Sequence, residues 1–172
     1  MTLPGPVPTP VVFDVNVLVQ AIASGNSPYI SWPSPPPTSG NPFADCLGIV
    51  NDAAEFALWL SPHILDNTIR VLMTVVGTPK EEADDYKDIL LEIADASGGG
   101  TLTPPRTVHD CPDHEDNLFL DLAAEVGALL LVSDDVDLTS KSPWRGVAIL
   151  RAAEFTARVD AMRRHQRRKA TR

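Results

Sequence analysis

The sequence predicts an α/β fold of three layers, α/β/α, with helices on both faces of a central, mainly parallel sheet. Three observations carry this. Short segments dense in β-branched and aliphatic residues recur along the chain, as strands buried on both faces require. Segments of helical periodicity with recognisable caps separate them, the signature of βα units. The 172 residues, 44% of them hydrophobic, suffice for one core and are too apolar for wholesale disorder.

The elements follow in order. Residues 1–10 are rich in proline and read as a flexible lead. VVFDVNVLV, residues 11–19, reads as a buried strand with Asp14 and Asn16 near its end. Residues 24–41, rich in Pro, Ser and Gly, read as an insertion without regular structure, either a gate over the sheet rim or a bystander loop. Its Pro33 and Pro36 form a PxxP pattern, which reads as a stiff spacer rather than a docking motif. Asn41-Pro42 is a cap followed by proline at the first helical position. FALWL, residues 56–60, reads as a second strand, and Ser61-Pro62 restarts a helix that Gly77 ends. Thr78-Pro79-Lys80-Glu81 reads as a capping box for a helix through about Asp95. A short strand is expected within Thr101–Val108, interrupted at Pro104-Pro105. Asp113 to Val126 reads as a helix with Gly127 at its end, followed by strands at 128–132 and 147–150 and a last helix from about Arg151. The reading gives one domain over residues 11–157 and a basic tail over 158–172.

Charge is unevenly spread. The net charge of −9 divides into +6 on residues 158–172 and −15 on the remainder. An acidic body repels polyanions unless bound cations or a basic arm compensate. The longest strongly apolar run, Ala128–Val132, is far short of the roughly 20 residues of a membrane helix, so no membrane association is expected. The first residues lack the basic and apolar segments of a signal peptide, and two cysteines are too few for a disulfide framework. The expected compartment is the cytoplasm.

Acidic residues carry the chemistry. Ligands of open α/β sheets bind beyond the carboxyl ends of the strands. Asp14 and Asn16 fall at one such end and Asp134 and Asp135 at another. Asp113, Glu115 and Asp116 open the helix leading to the second, and Asp66 lies one turn into the helix after 56–60. Clustered carboxylates raise one another's pKa unless cations lie between them, and oxygen-only donors suit Mg²⁺ or Mn²⁺. Singly, Asp113 and Asp116 are explained as helix-capping residues, Asp66 by the helix dipole and Ser133–Asp137 as a polar turn. Asp14, amid apolar neighbours, is costly to bury without a partner.

VVFDVNVLV, SPHILDNTIRVL and DHEDNLFLDLAAEVGALLLVSDDVDL together resemble the PIN-domain family, in this order, from about Val11 to Phe155. The resemblance implies a metal-dependent ribonuclease with Mg²⁺ or Mn²⁺, often the toxin of a bacterial toxin–antitoxin pair and frequently a homodimer. RNA is then the substrate and an antitoxin protein a partner. By the same resemblance Asp14, Asp66, Asp116 and Asp135 are the catalytic acids, with Asp14, Asp116 and Asp135 holding the metal. Asn16, Asp113, Asp134 and Asp137 support them. Val15 stands where the family has Thr, Asp66 where it has Glu and Asp134 where it has Gly; which of Asp134 and Asp135 faces the metal stays open. His63 reads as a surface histidine.

Three other readings stand beside this one. A Zn²⁺ site at His109, Cys111 and His114 matches no familiar spacing. A phosphatase or receiver using an Asp nucleophile would want Asp where the chain has Asn16, and Lys141 is a weak partner for it. A catalytically weakened domain would bind RNA or protein, with Arg158–Arg172 as a binding arm or a solvated tail.

Overall fold

The computed structural model describes residues 5–24 and 40–172; the expected insertion at 24–41 and the start of the proline-rich lead lie mostly outside them. The elements are β1 (Thr9–Phe13), α1 (Val15–Ala23), α2 (Pro42–Asn51), β2 (Phe56–Leu60), α3 (Pro62–Val71, continued by a π-helical turn Leu72–Val76), α4 (Lys80–Ala96), β3 (Gly100–Thr101), α5 (His114–Glu125), β4 (Leu130–Val132), α6 (Val136–Thr139), β5 (Ala148–Leu150) and α7 (Ala152–Ala170). The strands form one sheet in the order β3-β2-β1-β4-β5, and every neighbouring pair is parallel. The expected α/β/α class with a parallel sheet is what the chain adopts.

β1 is the middle strand, and Val11, Val12 and Phe13 are fully buried. From β1 the chain builds outward through β2 and β3, then returns to place β4 on the other side. The crevice between the carboxyl ends of β1 and β4 is therefore the topological switch point, where open α/β sheets bind ligands.

β1 is shorter than its sequence suggests. The valine-rich run to Val19 leaves the sheet at Phe13, and Val15–Ala23 is helical. Asp14 makes the break: extended at φ −61°, ψ 151°, it caps α1 by accepting the Asn16 N–H. The burial of Val17, Leu18, Ala21 and Ile22 then follows helical spacing. A side-chain cap has overruled β propensity.

Other boundaries also moved for local reasons. The Thr78 capping box does not form, because Pro79 is the capping residue and the Thr78 N–H closes the preceding π turn on Leu72 O at 2.9 Å. The strand expected in Thr101–Val108 is reduced to Gly100–Thr101; Pro104 and Pro105 have no N–H for a ladder. At Gly99 a Cβ would stand 1.9 Å from Leu58 O, so only glycine fits there. Among the described residues no helix is long and apolar enough to cross a membrane.

Residues 158–172, expected as a tail, continue α7 as helix to Ala170. Arg163 anchors it. Its Nε and Nη2 donate to the two Glu55 carboxylate oxygens at 2.7 and 2.8 Å, and Nη1 donates to Asp52 Oδ2 at 3.0 Å. Phe155, earlier on α7, meets Phe13 and Phe56 edge to face with centroids 5.9 and 5.2 Å apart. Charge counting finds the basic residues but not that one of them is buried against two acids.

Removing Arg163 takes the guanidinium away from both carboxylates. Arg163→Ala is expected to lower the urea-unfolding free energy by about 3 kcal/mol, and Arg163→Lys, which keeps the charge but not the fork, by less. A loss below about 0.5 kcal/mol for Arg163→Ala, the scale of an exposed ion pair, would refute the anchor.

Candidate active site

The carboxyl ends of three adjacent strands are stitched together at one point. The Asp14 N–H donates to Val132 O at 2.9 Å, and the Ser133 N–H donates to Leu150 O at 2.9 Å. The fully buried Ser133 Oγ donates to Asp14 Oδ2 at 2.6 Å and accepts the Asp135 N–H at 3.0 Å. One hydroxyl thus fixes the Asp14 carboxylate relative to the Asp135 backbone.

Three of the acids are helix caps. Asp14 caps α1, Asp113 caps α5 by accepting the Glu115 N–H at 2.9 Å, and Asp135 caps α6 by accepting the Asp137 N–H at 2.9 Å. Each spends Oδ1 on its helix. Asp116, in the first turn of α5, is 6% exposed and accepts no hydrogen bond among the described residues.

These residues border a cleft of about 200 Å³. Asp14, Asn16, Asp113, Glu115, Asp116 and Asp135 line it, and α3 contributes Asn67, Arg70 and Val71. The acids feel each other. Burial, followed by the charges of Asp135, Asp113, Asp14 and Asp137, pushes the Asp116 carboxyl up to about 6. Burial also raises Asp14, with a smaller contribution from Asp135, although the Ser133 hydroxyl pulls it back down.

The structure divides the expected site residues. Asp14, Asn16, Asp113, Asp116 and Asp135 share the cleft. Asp134 does not: its Oδ1 accepts the Ala152 N–H at 2.9 Å, at the start of α7. Of the adjacent pair, Asp135 is the one that lines the cleft. Asp137 lies outside the lining, and only its charge reaches Asp116.

Asp66 lies apart from the others. Its side chain is 69% exposed and pairs with Lys87 Nζ of α4 at 3.2 Å. Asn67 and Arg70 occupy the cleft instead. His63 is half-buried, and its Nε2 accepts from Asn67 Nδ2 at 2.9 Å. The sequence reading also missed the Ser133 relay, although Ser133 lay within the quoted motif. It missed two buried polar residues that shape the approach to α5. Asn117 brackets Cys111 through its N–H and C=O at 2.8 and 3.0 Å. Asp121 accepts the N–H groups of Thr107 and Val108 at 3.0 and 2.9 Å.

The donor chemistry fits a hard divalent cation. All the acidic donors are oxygens, and a buried carboxylate without a hydrogen-bond donor lies among other carboxylates. The side chains line the cleft without closing on a point: among the described residues no three His, Cys, Asp or Glu stand together as a ready ligand set. The same holds for His109, Cys111 and His114. Asp110 beside them is taken by Trp144 Nε1 at 2.7 Å.

The family model of the PIN domain matches residues 10–137, which run from β1 into α6 and include every acid lining the cleft. No curated relative matches the chain.

The raised Asp116 has a thermodynamic consequence. Its folded pKa of about 6 exceeds the ordinary 3.8, so across that window the folded state holds a proton that the unfolded chain has released. Stability from this group is therefore greatest below about pH 4 and declines as pH rises to about 6. Asp116→Asn is expected to flatten this slope and, without added metal at pH 7.5, to raise the unfolding free energy by about 1 kcal/mol. Urea titrations at pH 4.5 and 7.5 measure both; a destabilised Asp116→Asn at pH 7.5 would contradict the crowding.

Proposed function

The chain belongs to the PIN-domain family, and from that premise we propose that it is a ribonuclease dependent on Mg²⁺ or Mn²⁺ that hydrolyses RNA phosphodiesters. PIN domains are generally nucleases that use divalent metals. The observation that carries the reading here is the gathering of Asp14, Asp116 and Asp135 at the β1–β4 switch point, with Asp116 raised by burial and then by its neighbours' charge.

Asp14, Asp116 and Asp135 would hold the cation. When bound, the metal supplies positive charge for the phosphate and a more acidic water for hydrolysis. The protein's own contribution is positional. Ser133 holds the Asp14 carboxylate in a fixed orientation, and the Asp135 cap fixes the turn after β4. Asp113 and Glu115 at the start of α5 deepen the negative potential that draws in a cation. Asn16 offers a neutral amide to the phosphate or the ribose.

The choice of RNA, the role of toxin in a toxin–antitoxin pair, an antitoxin partner and a homodimer all rest on the family resemblance. Met73, Val75 and Val76, exposed together at the π turn beyond α3, are the apolar surface that such a partner would cover.

A second reading has its own support. With Asp66 outside the cleft, α3 contributes the amide Asn67 and no acid. A cleft short of one acid fits a weakened domain that binds RNA or protein without cutting.

The discriminating experiment is cleavage of mixed-sequence single-stranded RNA with Mn²⁺. The wild type is expected to cut, EDTA to stop it, and Asp14→Asn to lose at least about 100-fold, the scale of removing a group that stabilises the transition state. Asp66→Ala should cut within about twofold of wild type, since exposed ion pairs contribute little. Equal inertness of wild type and Asp14→Asn would favour the binding module; equal cutting would remove Asp14 from the mechanism.

A further inference from the structure

Among the described residues, Arg70 is the one cation lining a cleft that also holds five carboxylates. The ordinary explanation for such an arginine is a counter-ion, and the structure does not support it. Among the described residues, no carboxylate lies within ion-pairing distance of Arg70, whereas Lys87, one helix away, does pair with Asp66.

The guanidinium is held in another way. Its Nε and Nη2 both approach Asn67 Oδ1 at 3.4 Å, and Asn67 Nδ2 donates to His63 Nε2 at 2.9 Å. His63, Asn67 and Arg70 follow helical i, i+4, i+7 spacing and form one stripe of α3. An acid at position 67 would orient Arg70 and cancel its charge. The amide orients it and leaves the charge intact. Among the described residues, only two of the five N–H donors of this guanidinium are engaged, both at 3.4 Å. What remains is a planar, charged fork facing a cleft otherwise hostile to anions, the geometry that suits a phosphate.

We propose that this stripe of α3 is a phosphate-binding subsite, in which Arg70 grips a backbone phosphate of the RNA and Asn67, steadied by His63, acts as its positioning residue. The subsite deepens the nuclease reading and rests on it. It assigns to the protein the positive charge that an acidic cleft needs for a polyanion, apart from any cation held by the carboxylates.

The test uses the full chain and a fluorescein-labelled, mixed-sequence single-stranded RNA. Binding is read by anisotropy in Ca²⁺, cleavage in Mn²⁺, and metal binding by the thermal shift that Mn²⁺ produces. Arg70→Ala is expected to weaken RNA binding about 10-fold and to reduce the slope of log affinity against log salt by about 0.7, one phosphate contact on a single strand. The Mn²⁺ thermal shift should be unchanged, which also shows that the variant folds. Arg70→Lys should recover part of the affinity, as a charge without the fork. Asn67→Ala should raise KM with kcat within about twofold, the split expected when uniform binding is lost. Wild-type affinity and salt slope in Arg70→Ala, while Asp14→Asn abolishes cleavage, would overturn the subsite and leave the nuclease reading intact. Loss of the Mn²⁺ shift in Arg70→Ala would mean that Arg70 shapes the carboxylate cluster rather than gripping RNA, and would overturn the subsite too. A wild type that neither binds nor cuts the RNA would remove both readings.

Discussion

The constraint on which the rest depends is the burial of one carboxylate, Asp14, where the central strand must stop. It is 5% exposed and could not stay charged there without donors. The fold supplies them from both sides of the break, the Asn16 N–H from the helix that follows and the Ser133 hydroxyl from the neighbouring strand. Meeting Asp14's demand therefore does three things. It ends β1, it starts α1, and it locks the loop after β4 to the end of β1. Because Ser133 also accepts the Asp135 N–H, the position of a second acid follows from the solvation of the first.

The charge distribution follows the direction of the sheet. In parallel strands all carboxyl ends lie together, and the acids of the cleft occupy that edge. α7 begins there, with the Ala152 N–H held by Asp134, and runs back toward the amino edge. Arg163 meets Glu55, the residue before β2, whose carbonyl oxygen accepts the Thr9 N–H at the start of β1. The basic residues after Arg163 thus continue beyond the amino edge, away from the cleft. In this topology the basic end of α7 and the acidic cleft stand at opposite edges of the sheet. Among the described residues, Arg70 is the cation that lines the cleft itself.

The fold was legible because its signals are local: apolar strands, capping residues and helical stripes. β4, β5 and the helix starts at Pro42, Pro62 and His114 fell within two residues of expectation. Where reading failed, a tertiary fact decided. Asp66 and Asn67 show this most clearly. The buried residues Ile64, Leu65, Thr68 and Ile69 define the core arc of α3. At 100° per residue, Asp66 and Asn67 lie about 130° to either side of that arc's centre. The pattern says that both border the core and cannot say which border meets the cleft and which meets α4. The structure places Asn67 on the border that meets the cleft and Asp66 on the border that meets α4. The same limit left Asp134 and Asp135 indistinguishable until the start of α7 was seen to claim one of them.

The capping roles explain why the acids of the cleft differ. Asp14, Asp113 and Asp135 each accept a backbone N–H at the positive end of a helix, which stabilises a carboxylate and holds its direction. Three helix starts therefore converge on one cleft, and their caps are stabilised by the fold itself. Asp116 caps nothing and accepts no hydrogen bond among the described residues, and it is the one pushed up to about 6. Burial, and after it the charge of these neighbours, is what the Asp116 carboxyl must face. The reading of Asp113 as a cap and the reading of it as part of a site were never rivals. Capping fixes where the charge stands, and Asp116, stabilised by none of these caps, is left as the group with most to gain from a cation.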